Sequence, residues 1–133
     1  MPPEEVVAES TLWLAYAQCD LDVAGGCSGL PAVHGWAIAF HCQQAVEKAY
    51  KGALIWRGHE APRIHDLVAL EEILRRAGLI GPLPPDALDL LTPFAINDKY
   101  PRLTIVPISR EDAIALIASA RLAVDWLAGL LQS

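Results

Sequence analysis

Apolar residues return every three or four positions through most of the chain, and short Gly- and Pro-bearing breaks divide the pattern into segments. That period belongs to α-helices that turn one side toward a core. The first segment, "TLWLAYAQCDLDVAGG", has Ser10 ahead of it as a helix N-cap and Gly25-Gly26 as its stop. Leu12, Ala15, Tyr16, Cys19 and Val23 recur there at helical spacing, which predicts that they form the buried stripe of the first helix. After the connector "CSGLPAVHG", a second and longest helix is predicted from about His34 to Arg57, ended by Gly58. The break "EAPR" leads to a third, from about His65 to Ala77, ended by Gly78. A rigid turn, "GLIGPLPP", precedes a fourth helix, "DALDLLTPFAIN", which Pro93 should kink or shorten. "DKYPRLTIVPI" reads as irregular, because a strand at "RLTIV" would have nothing to pair with. Ser109 caps the last helix, "REDAIALIASARLAVDWLAGLL", whose first turn carries Glu111 and Asp112 where the helix dipole favours acids.

Four substantial helices and one short or kinked helix imply an all-α fold, an antiparallel up-and-down bundle of four to five helices. Residues 1–133 form one domain, with 1–9 expected as a flexible N-terminus. Just over half of the residues are hydrophobic, enough for a core without metal or disulfide staples. The net charge of −6 argues against general coating of nucleic acid. Cys19, Cys27 and Cys42 are odd in number and lack metal-ligand spacing, so they read as thiols in a reducing compartment. The start, "MPPEEVVAES", has no basic-then-apolar signal, and no uninterrupted apolar run approaches the roughly 20 residues of a membrane span. A cytoplasmic protein with no membrane partner is expected, and no cofactor or metal site is implied.

The second helix holds the candidate chemistry. At about 100° per residue, Ile38, Cys42, Ala45, Ala49, Gly52, Ala53 and Trp56 fall on one side, mostly small enough for close helix approach. On the adjacent arc lie His41, Gln44, Lys48 and Lys51, with Glu47 at its edge and placed to pair with Lys51. Such a stripe is either a solvated face with one Glu–Lys pair or the lining of a groove for a phosphate or nucleotide. Lysine supplies point charge, while Gln and His can bond a base or ribose. Spacing alone does not choose.

The motifs taken together are more telling. Asp20-Leu21 stands ahead of the long helix, and Phe40 to Lys51 carries a Phe-His-x-Gln-Gln-x-x-Glu-Lys-x-x-Lys pattern. His65-Asp66-Leu67 opens the next helix, and Tyr100-Pro101 comes late. In these features, from about Leu12 to Leu127, the chain resembles the HEPN domain family, whose name stands for higher eukaryotes and prokaryotes nucleotide-binding. The resemblance implies a bundle of four or five helices, often a homodimer. It also implies, for many prokaryotic members, a separate minimal nucleotidyltransferase as partner in a two-component, toxin–antitoxin-like pair. Other members are metal-independent ribonucleases.

The ribonucleases of that family carry an Arg followed four to six residues later by a His, and this spacing does not occur here. Arg63 and His65, separated by one residue, are the only remnant of such an arrangement. No Gly-rich phosphate loop, His-Glu-x-x-His or Gly-x-Ser-x-Gly is present either. The chain therefore reads as a binder, with RNA cleavage or pure protein docking as rivals. His59-Glu60 and His65-Asp66 are a weak metal signal; Asp66 suits a helix cap, and His65 a hydrogen bond to a neighbouring helix. Lys99, Tyr100 and Arg102, on the irregular segment, either pack against the bundle or complete an anion cleft beside the stripe. The expected ligand set is His41, Gln44, Lys48, Lys51, Lys99, Tyr100 and Arg102, with Arg63 and His65 secondary.

Overall fold

The computed structural model describes residues 2–95 and 107–133. The "RLTIV" reading and Lys99, Tyr100 and Arg102 lie outside them. Among the described residues the chain is all-α: α1 (Glu4–Ser28), α2 (Gly35–Trp56), α3 (Leu67–Arg76), α4 (Pro85–Leu91) and α5 (Arg110–Leu131). The caps of α3 and α5 and the breakers after α2, α3 and α4 act where the sequence places them. Asp66 accepts from the Val68 and Ala69 amides to start α3, and Ser109 accepts from the Asp112 amide to start α5. Gly58 and Gly78 take left-handed backbone, φ +96° and +86°, just past α2 and α3. Pro93 ends α4 in a single 3-10 turn, Thr92–Phe94, as its missing amide requires.

The bundle is centred on α2, with α1 and α5 packed along it and α3 and α4 at its remaining side. Ser10 of α1 meets the carbonyl of Gly52, and Asp20 meets His41, so α1 and α2 run antiparallel. Between α2 and α3 the return is made by the non-helical segment 57–66. His65 lies against Glu47 and the Arg57 side chain against the Ala77 carbonyl, so α3 runs alongside α2 in the same direction. α5 shares that direction, with Ile108–Arg110 beside Gly35 and Leu127 beside Gly52. α5 has the length and apolarity of a membrane span, yet Ala113, Leu116, Ala120, Ala123, Val124 and Leu127 are buried in the bundle.

Three expectations for α1 are corrected, the first being its stop: the helix runs through Gly25-Gly26 to Ser28. The helix begins at Glu4, so residues 4–9 are helical and Ser10 is an interior residue rather than a cap. Ser10 is buried, and its hydroxyl donates to the Gly52 carbonyl at 2.7 Å. The stripe predicted to be buried faces outward instead: Leu12, Tyr16 and Val23 are exposed by 59, 60 and 42 %. The buried side of α1 is the opposite one, Ala17, Leu21 and Ala24. Small residues there let the α1 backbone close on the equally small face of α2, and interhelical contact rewards proximity as much as side-chain bulk.

The closest approach is at Gly52. A methyl group there would stand 2.9 Å from Trp13 Cβ on α1 and 2.7 Å from Leu127 Cδ2 on α5. Leu127 can rotate away, but Trp13 Cβ is fixed to its backbone. Gly52→Ala is expected to destabilise by about 1–3 kcal/mol despite the better helix propensity of alanine, measured as a lower urea midpoint at unchanged slope.

Candidate functional site

The polar stripe of α2 divides into two clusters, each organised by one carboxylate. The first bridges α1 and α2. Asp20 Oδ1 lies 2.9 Å from His41 Nδ1, and Asp20 Oδ2 accepts from Lys48 Nζ. A carboxylate can only accept, so the proton between Asp20 and His41 sits on Nδ1. In the neutral ring His41 Nε2 is the acceptor edge, and it makes no hydrogen bond with the described residues. Phe40 packs edge-on against the His41 ring at a centroid distance of 5.0 Å, which helps fix its plane. Lys48 and His41 are half-buried, with 29 % of each side chain exposed.

The second cluster sits one helix arc away. Glu47 accepts from Gln43 Nε2 at 2.9 Å and from Lys51 Nζ at 3.0 Å, and His65 Nδ1 lies 3.1 Å from both of its oxygens. Gln43 is fully buried, and Glu47 and Lys51 are each 6 % exposed. Gln44, on the arc between the two clusters, donates from Nε2 to Gln43 Oε1 at 2.7 Å while staying half-buried itself.

The expected ligand set is thus redistributed. His41, Gln44 and Lys48 stand together at the α1–α2 seam and keep partial access to solvent. Lys51 does not join them: the expectation that its head faces outward is corrected, because it is buried against Glu47. The pairing of Glu47 with Lys51 follows the four-residue spacing. His65 serves Glu47, and Arg63 is exposed on the non-helical segment before α3, so the two do not project from one helix end. No cluster of three or more metal-ligating side chains occurs among the described residues.

Sequence reasoning named Asp20 and Gln43 as motif residues but left both out of the site, which they organise through α1 and the core. A signal for Asp20 was available. It follows Ala17 by three and precedes Ala24 by four, which places an acid on the buried side of α1, where only a partnered charge is stable. Cys42, beside the site, is a core thiol: burial pushes it up to about 12, so it stays protonated and inert.

The model for the HEPN domain matches residues 12–130, all but the two ends of the chain. No curated protein and no solved structure matches.

Proposed function

The chain belongs to the HEPN domain family, and on that premise we propose that it binds a nucleotide or another phosphate-bearing ligand at the α1–α2 seam. One observation carries this reading: Asp20 holds Lys48 and His41 side by side, with Gln44 one helical turn along. Lys48 uses one of its three N–H groups on Asp20, so the others can meet phosphate oxygens. His41 Nε2 and the Gln44 carboxamide suit a ribose hydroxyl or a base edge. Because Asp20 sets both side chains in advance, little ordering remains to be done when the ligand arrives. In this reading the protein acts in the cytoplasm as a homodimer, alongside a separate minimal nucleotidyltransferase in a toxin–antitoxin-like pair.

Calorimetric titration of ATP and GTP tests the ligand part. Binding is expected in the wild type, and Lys48→Ala and His41→Ala should each weaken it about tenfold or more, some 1.4 kcal/mol. Absence of heat at millimolar nucleotide would remove the proposal. The carboxylate-backed His41 also favours one second reading, a divergent metal-independent ribonuclease with His41 as general base. Cleavage of RNA in chelator, abolished by His41→Ala, would establish it.

A further inference from the structure

α1 is apolar on two opposite sides, and among the described residues only one of them packs into the bundle. At about 100° per residue, Leu12, Tyr16, Cys19 and Val23 fall within an arc of about 60°, facing away from Ala17, Leu21 and Ala24. Their spacing of four, three and four is that of a coiled-coil seam rather than of scattered surface residues. Leu12 and Tyr16 are each about three-fifths exposed, and Cys19 is exposed between them and Val23. A single exposed leucine needs no explanation, but a four-residue seam in heptad register does.

The margins of the seam decide what fits it. α1 contains no Lys, Arg or His. Glu5 stands at the head of the seam, Glu9 on one flank, and Glu4 and Asp22 on the other, all exposed. Asp20, the remaining acid of the helix, is already paired with Lys48 and hydrogen-bonded to His41. A second copy of α1 would bring the same acids to the seam and supply no cation, and each chain already carries a net charge of −6.

We propose that the outer seam of α1 docks an amphipathic helix from another polypeptide, one whose apolar a and d positions are flanked by Lys or Arg. Leu12, Tyr16, Cys19 and Val23 supply the knobs, and the acids at the seam's head and flanks select the partner by charge. This face lies on the far side of α1 from the α2 contact, so partner docking and ligand binding at the α1–α2 seam are separable.

The probe is a synthetic three-heptad helix with Leu at a and d and Lys or Arg at e and g, paired with a control bearing Glu at e and g. The basic helix should bind the full chain and slow alkylation of Cys19, followed by mass spectrometry at that residue. The acidic control should not. Leu12→Glu and Val23→Glu add negative charge, so simple attraction to an acidic surface would strengthen with them. Seam docking should weaken about tenfold or more. Both positions are exposed, and circular dichroism confirms that the variants fold. Equal binding to wild type and variants, binding of both peptides alike, or binding of neither overturns the proposal. So does a self-associated form by sedimentation that Leu12→Glu dissolves, since a second copy would then occupy the seam.

Discussion

Arg110→Ala should lower the stability of the chain by about 3 kcal/mol, and the melting temperature by roughly 10 °C. The Arg110 guanidinium donates through Nη2 to the carbonyls of Cys27 and Ser28, at 3.1 and 2.7 Å, and through Nη1 to the carbonyl of Val33. Cys27 and Ser28 are the last residues of α1, past the reach of its i+4 amides, and of the two carbonyls that of Cys27 already accepts from the Leu30 amide. A cation there also meets the negative end of the α1 dipole. At its own position, the start of α5, the same cation opposes a helix dipole, and Glu111 and Asp112 in the next two positions offset it. The placement makes sense only as a clamp. It fixes the start of α5 to the end of α1 and to the connector into α2, closing the bundle at one end. Arg110→Lys keeps the charge but loses the planar fork, so it should recover less than half of the lost stability. Chemical denaturation of the three proteins decides the matter. Equal stability of Arg110→Ala and wild type would mean that water satisfies these carbonyls as well as arginine does.

Much of the fold was legible because the features that set it are local. Asp66, Ser109, Gly58, Gly78 and Pro93 act on backbone groups within a few residues, and each works where the sequence puts it. The buried side of α1 was not legible, because hydrophobic periodicity favours the bulkier arc. Leu12, Tyr16 and Val23 outweigh Ala17 and Ala24 in apolar area, yet the choice between the two arcs is made by shape against α2. The same limit applies to the site. Helical spacing placed His41, Gln44, Lys48 and Lys51 on one arc, but neighbours outside the helix divide them. α1 brings Asp20 to Lys48 and His41, while the segment before α3 brings His65 to the Glu47 that pairs with Lys51. A stripe read on one helix cannot foresee which of its charges another element will neutralise.

Glu47→Gln should be the most damaging conservative change in the α2 stripe, costing about 4 kcal/mol. It removes the only carboxylate bound to Lys51 among the described residues, and Lys51 has 8 % of its side chain exposed, too little for water to replace the lost charge. His65 Nδ1 and Gln43 Nε2, which now share two carboxylate oxygens, are left with the single amide oxygen of the new side chain. Lys51→Met alone should cost less, about 2 kcal/mol, because Glu47 keeps Gln43 and His65 as donors. The double change Glu47→Gln/Lys51→Met removes both charges at nearly constant volume and should return to within about 1 kcal/mol of wild type. A double variant as unstable as Glu47→Gln would show that Glu47 acts through His65 and Gln43 rather than through Lys51. The same set separates structure from ligand binding. Lys51→Met, measured well below its melting temperature, should leave nucleotide affinity within about twofold of wild type, whereas Lys48→Ala lowers it by about tenfold or more. Loss of affinity in both would return Lys51 to the ligand site and require its side chain to leave Glu47 when the ligand binds.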